Sequence, residues 1–160
     1  MEKSVKMMAA LVAVIAIAGA AALTGVFGLL GPAVTGSVTG SGSDTSVVRI
    51  PLSEISGNVK FYEYDAGGTT IRFFAVKAGD GSIKTAFDAC DVCYKLRKGY
   101  RQEGDYLVCN NCGKRFAISS LGTENRNPGG CWPGYLPSSV EGDSLVIKKS
   151  DLEGGRYRFA

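Results

Sequence analysis

Hydrophobic and polar positions divide the chain into three unlike stretches. From Met7 to Leu30 no residue is charged, and Ala, Leu, Val, Ile and Gly fill most positions. As a helix those 24 residues would reach about 36 Å at ~1.5 Å per residue, enough to cross a ~30 Å hydrocarbon core. The pattern predicts an N-terminal transmembrane helix within residues 1–30. A cleaved signal peptide is the alternative, because the small residues of 16–22 offer a cleavage site, but its apolar region is usually only about 7–15 residues long. Lys3 and Lys6 precede the span and place the N-terminus in the cytoplasm. The chain is thus expected to be single-pass in the cell membrane, with its C-terminal part extracytoplasmic. Residues 31–46 follow, rich in Gly, Ser and Thr and without periodicity. They read as a flexible linker with a reach of about 20–24 Å.

Residues 47–160 carry the third pattern, short β-forming runs punctuated by glycine turns. Val59–Tyr64, Ile71–Lys77, Ile83–Phe87, Tyr106–Cys109 and Leu145–Lys148 read as strands. Ile71–Phe87 is expected to form a hairpin around Ala78–Ser82, with Ile83, Thr85 and Phe87 on one face and Lys84 on the other. Ile50–Phe61 also echoes Ile147–Phe159: a strand, a serine followed by an acid, a glycine, then a second strand. The serine suits the N-cap of a single helical turn and the glycine its exit. The two segments are expected to pair and close the domain. The fold class is therefore a small, mainly β domain, with α+β as the variant, carried on an N-terminal membrane helix.

Charge adds little. The net formal charge is +3, with no basic stripe or aromatic platform to engage nucleic acid. Histidine is absent, which excludes Ser-His-Asp and Cys-His hydrolase chemistry within this chain.

The cysteines change the picture. Four of five fall in Cys90-x2-Cys93-x15-Cys109-x2-Cys112, the spacing of a tetrathiolate metal site. Two residues between thiols let the chain curl so that both sulfurs face one centre, and two such loops supply a tetrahedron suited to zinc or iron. Gly113 after Cys112 permits the positive φ that turns backbone N–H groups toward sulfur. Tyr94 holds the matching place after Cys93, so the two loops are not equivalent. Lys95, Arg97, Lys98, Arg101, Lys114 and Arg115 favour thiolates or simply form a solvated surface. Cys131, in Asn127-Pro128-Gly129-Gly130-Cys131-Trp132, is placed near the site as a fifth ligand, a replacement ligand or a buried thiol. Gly129 and Gly130 are read there as allowing close backbone approach, and Trp132 as packing. Gln102, Glu103, Gly104 and Asp105 read as a docking surface or an ordinary polar turn. Disulfides and thiol exchange remain rivals, although the cysteine count is odd and neither pair opens a helix in a βαβ unit.

The stretch AFDACDVCYKLRKGYRQEGDYLVCNNCGKRF, followed by LGTENRNPGGCWPGYLP, resembles the FtrD-like family of membrane-anchored iron–sulfur proteins over about Ile71–Pro137. The resemblance implies an extracytoplasmic iron–sulfur or iron-binding domain, with Cys90, Cys93, Cys109 and Cys112 as ligands and Cys131 as the remaining motif cysteine. It also implies work beside an iron permease or redox partner proteins, in electron transfer or iron handling. A structural zinc site or metal chaperone is the alternative, because zinc and iron accept the same thiolates. An electron carrier or metal-binding protein fits these residues better than a catalyst.

Overall fold

The computed structural model describes residues 45–160 and the backbone of 35–37. The expected membrane helix and most of the expected linker lie outside the described residues. Among the described residues, no helix is long and apolar enough to cross a membrane.

Among the described residues, ten strands form three sheets. The first sheet has the order β1-β3-β4-β5, from Thr35–Ser37, Lys60–Asp65, Thr70–Lys77 and Ile83–Phe87. Its pairs are antiparallel except β1, which lies parallel to β3 inside the segment read as linker. The second sheet is β2-β10-β9, from Val47–Pro51, Ser144–Lys148 and Ser139–Glu141. The third is β6-β7-β8, from Tyr100–Glu103, Tyr106–Cys109 and Arg115–Ala117. One helix, α1 (Lys149–Gly154), and five short 3-10 turns complete the described elements. The strand-rich expectation holds.

The expected hairpin is β4–β5, with Phe73 opposite Phe87 and Lys77 opposite Ile83. Its turn needs Gly81 at φ +84°, and Asp80 Oδ1 accepts from the Ser82 N–H and hydroxyl. Strand β4 is buried on both faces. Ile71, Phe73 and Ala75 enter one core with Val48, Ile50, Leu145 and Ile147 from the second sheet. Phe74 and Val76 enter the other core, with Leu107, Phe116 and Leu121 from the third sheet and its flank. The first sheet is thus the middle layer, and each fully buried phenylalanine contributes about 1.5–3 kcal/mol.

The two echoing segments do pair: β2 and β10 run antiparallel with Ile50 opposite Leu145 and Val48 opposite Ile147. Each strand then enters a helical turn, Leu52–Glu54 or α1. The expected serine caps are absent, because neither turn has a side-chain cap bond. Each turn instead begins before its serine, and its first N–H is taken by the partner segment. Leu52 N–H donates to Asp143 O at 2.8 Å, and Lys149 N–H to Ser46 O at 2.9 Å. The echo ends there, since Lys60–Asp65 is a strand but Arg156–Arg158 is a 3-10 turn.

Gly155 closes α1 with a right-handed φ of −88°, so the expected glycine exit has a different cause. A Cβ at Gly155 would meet the Phe87 ring, whereas one at Gly154 would meet nothing within 4 Å. Gly155→Ala is expected to lower stability by about 1–3 kcal/mol through overpacking. Gly154→Ala is expected to be neutral or to stabilise by up to about 1 kcal/mol, as alanine does in a helix. Denaturant melts of both variants beside the parent protein check the difference.

Candidate metal centre

The five thiols come from three chain segments, two of them fixed by sheets and the third, the Cys131 loop, by hydrogen bonds. Strand β5 ends at Phe87 and delivers Cys90 two residues beyond Asp88. Phe87 N–H donates to Gly134 O, and Gly134 N–H returns to Ala89 O, so β5 is already stitched to the loop that carries Cys131. The Cys93 N–H donates to Cys90 Sγ at 3.0 Å. The chain then makes the 3-10 turn Tyr94–Leu96 and leaves it through Arg97 at φ +51°.

The second pair is the turn of the β7–β8 hairpin. Cys109 ends β7, its N–H donates to Lys114 O, and Gly113 N–H donates to Cys109 O. Gly113 adopts φ +70°, as its place after Cys112 led the sequence to suggest. The N–H groups of Asn111 and Cys112 point at Cys109 Sγ, and Lys114 N–H points at Cys112 Sγ. Asn110 locks this turn to the first one: its N–H donates to Gly99 O, and its amide donates to Lys98 O.

The sulfurs gather in two overlapping groups, Cys90–Cys93–Cys131 and Cys93–Cys109–Cys112. Within each group they lie within 4.8 Å of one another, and Cys93 belongs to both. Cys93 Sγ stands 3.8 Å from Cys131 Sγ. Sulfurs ~2.3 Å from one tetrahedral ion are about 3.8 Å apart, so this edge already has the spacing of ligands on a shared metal. All five cysteines are free thiols. Cys90 and Cys109 are buried, Cys93 and Cys131 are half-buried, and Cys112 is exposed. The centre therefore has a dry side and a wet side.

Electrostatics separates the thiols. Burial pushes Cys109 up, against the N–H groups aimed at its sulfur. The Lys114 N–H holds Cys112 below the ordinary thiol range. Cys131 is pushed up to about 12, first by desolvation and then by the neighbouring Cys112 and Cys93 sulfurs. A cluster of thiols in one place resists multiple ionisation, and a bound cation removes that resistance. The donor set is all sulfur, which fits iron or zinc.

Three residues that the sequence reading passed over organise the site. Asp91, inside the first loop, accepts from Gly129 N–H at 2.7 Å, from the Tyr157 hydroxyl at 2.9 Å, and from Arg158 Nη2 at 2.7 Å. These bonds hold Asp91 below the usual carboxylate range despite its burial. They also draw the Cys131 loop and the C-terminal turn onto the first pair. Tyr100 is buried against the sulfurs, its hydroxyl donates to Cys131 O, and burial raises its pKa. Asp88 accepts from Tyr100 N–H at 2.7 Å. Arg72 Nη2 stands 3.0 Å from its other oxygen, though without hydrogen-bond geometry. Burial dominates and lifts Asp88 to about 6. The available signal was an acid inside C-D-V-C and another just before it, but sequence alone does not say what an acid faces.

Gly129 and Gly130 have φ of +102° and +85°, and a Cβ on either would meet nothing within 4 Å. They serve left-handed backbone rather than the close approach expected for them. Trp132 packs on Phe116 with ring centroids 4.7 Å apart, as expected. Gln102 turns inward, taking Val59 N–H and donating to Gly57 O, while Glu103 pairs with Arg101 and Arg115. Of the two readings of 102–105, this geometry favours the polar turn.

A small strand-rich domain that collects free thiols in this way belongs to the class of cysteine-rich domains able to hold a metal. The family is more particular: the membrane iron–sulfur containing protein family, FtrD-like, matches residues 55–159, well over half the chain, and the chain belongs to it. No curated protein matches the chain.

Asp91→Asn removes the charge from a cluster of charge-assisted bonds, each worth about 1.5–3 kcal/mol. In metal-free protein, alkylation of Cys131 is expected to quicken about tenfold or more. The control Glu141→Gln breaks the surface pair with Arg49 and should leave that rate unchanged. Mass-spectrometric thiol labelling reads both.

Proposed function

We propose that this protein is a membrane-tethered, extracytoplasmic metal protein whose iron-containing cysteine centre carries electrons or handles iron beside an iron-uptake system. The observation that carries this reading is the meeting of five free thiols, from three segments, within two overlapping groups. The uncharged Met7–Leu30 segment supplies the tether. Cys90, Cys93, Cys109, Cys112 and Cys131 would hold the iron or iron–sulfur group. Such a group, when bound, supplies one-electron chemistry at a potential tuned by hydrogen bonds to its sulfurs and by solvent exposure. The chain's own share is to orient the thiolates with backbone N–H groups, keep water from Cys90 and Cys109, and leave Cys112 at the surface. An iron permease or a redox protein is the expected neighbour.

The all-sulfur donor set suits zinc as well as iron, so metal identity is the first test. Protein purified without oxygen is expected to contain iron and to absorb visible light through sulfur-to-iron charge transfer. Zinc in a colourless protein would replace the carrier by a structural site or a chaperone. No metal, with thiols titrating as disulfides, would revive thiol exchange.

Site and fold share free energy when a metal is held by several segments. Cys109→Ser is therefore expected to lose most of its metal and to melt at a lower temperature. Full metal content with unchanged melting would remove Cys109 from the ligand set. Elemental analysis and a thermal scan on one sample decide it.

A further inference from the structure

Large exposed hydrophobic side chains are few among the described residues: Val92, Leu96, Tyr106, Val140 and Tyr157. Three of these five meet at the first cysteine loop. Val92 lies between Cys90 and Cys93 and is 60% exposed, and Leu96 lies in the following turn at 56%. Tyr157, 52% exposed, reaches the same loop by bonding Asp91 and meeting the Tyr94 ring edge-on at 6.1 Å. Clustered apolar exposure on a small domain marks an interaction site, whereas single scattered residues do not.

The rim of this patch has one sign. Lys95, Arg97 and Lys98 are exposed, and no acidic residue occurs from 92 to 99. The nearest acid, Asp91, is neutralised by Arg158 at 2.7 Å. Neither lysine ammonium has an ion-pair partner among the described residues, in contrast to Lys60, which pairs with Glu54. Elsewhere on the third sheet the arginines are matched by Glu103. Arg97 donates to Ala160 O at 2.9 Å, so Lys95 and Lys98 are the unmatched cations that stand beside the apolar residues and the thiols. Weak electron-transfer contacts use small apolar areas, and their charged rims set the encounter rate.

We propose that the face formed by Val92, Leu96, Tyr94 and Tyr157, rimmed by Lys95, Arg97 and Lys98, docks a small acidic redox protein that exchanges electrons with the cysteine centre. The proposal rests on the electron-carrier reading above. An acidic rim on the partner meets the basic rim here, its own apolar edge covers Val92 and Leu96, and its cofactor comes to rest beside the Cys90–Cys93 loop. With a flavoprotein partner the step is a single electron transfer. The anionic flavin hydroquinone becomes the neutral semiquinone as ferric iron becomes ferrous, and no bond or proton moves.

The test uses the full chain in nanodiscs, loaded with iron without oxygen and then oxidised with ferricyanide, and flavodoxin hydroquinone as the acidic probe. Stopped-flow reduction is expected to slow steadily as salt is added, because screening weakens steering between opposite charges. Lys95→Glu/Lys98→Glu is expected to slow the low-salt rate by about tenfold or more, and Leu96→Ser to slow it further. The distant Lys77→Glu should react as the parent does. Oxidised flavodoxin should also protect Lys95 and Lys98, but not Lys77, from acetylation read by mass spectrometry. A double variant as fast as the parent, or protection located elsewhere, overturns the docking face. So does protection of these lysines by phosphatidylglycerol vesicles and not by flavodoxin, which would assign the patch to lipid headgroups. If dithionite and ferricyanide leave the visible spectrum unchanged, the electron-carrier reading fails, and the acetylation footprint still decides docking.

Discussion

The double burial of β4 is the constraint on which the rest of this domain depends. A strand dry on both faces needs a cover on each side, and residue alternation decides which cover each side chain meets. Phe73 and Ala75 look toward the second sheet, and Phe74 and Val76 toward the third. A one-residue slip would exchange these sets, so the register with β5 is held by both cores at once. Cys90 therefore leaves the end of a strand that cannot slide, and Cys109 ends a strand packed beneath the same layer. The two cysteine pairs owe their meeting to this sandwich before any metal is present.

The third thiol segment is brought in differently. Cys131 lies on a loop with no strand of its own, and polar bonds hold it. Asn125 is buried and spans the loop, accepting from Gly122 N–H and donating to Pro133 O. Asp91 takes Gly129 N–H from one side while Tyr100 takes hold of the Cys131 carbonyl from the other. Apolar packing sets where the pairs stand, and hydrogen bonding sets where the fifth thiol stands. The division has a physical basis: an irregular loop has few side chains to bury but many backbone groups to satisfy.

Much of this was legible because it was local. Ile71–Phe87 declared itself by alternation around a glycine turn, and Cys109–Gly113 by ligand spacing followed by a residue that tolerates positive φ. The pairing of β2 with β10 was legible as an echo between distant segments. What escaped depends on partners far along the chain. Ser53 and Ser150 read as caps, but the turns start earlier because carbonyls of the opposing segment, Asp143 and Ser46, receive the first N–H groups. Strands β6 and β8 carry Arg101, Glu103 and Arg115, so their short runs lack the apolar signature that marks β7. Asp91 drew no reading from the sequence, because its partners Arg158 and Gly129 lie dozens of residues away.

The asymmetry between the two cysteine loops then acquires a meaning. Both loops aim N–H groups at sulfur, but the second is a compact hairpin turn, and the arginines beside it are matched by Glu103. The first loop gives up that compactness. It continues through an exposed 3-10 turn into the left-handed Arg97, a conformation that costs a non-glycine residue about 1 kcal/mol or more. A loop concerned only with holding an ion would gain from a glycine there, and would gain from covering Val92 and Leu96. The first loop thus leaves an uncovered apolar and basic surface beside the sulfurs. A centre that must both hold its metal and face something outside needs these two kinds of wall.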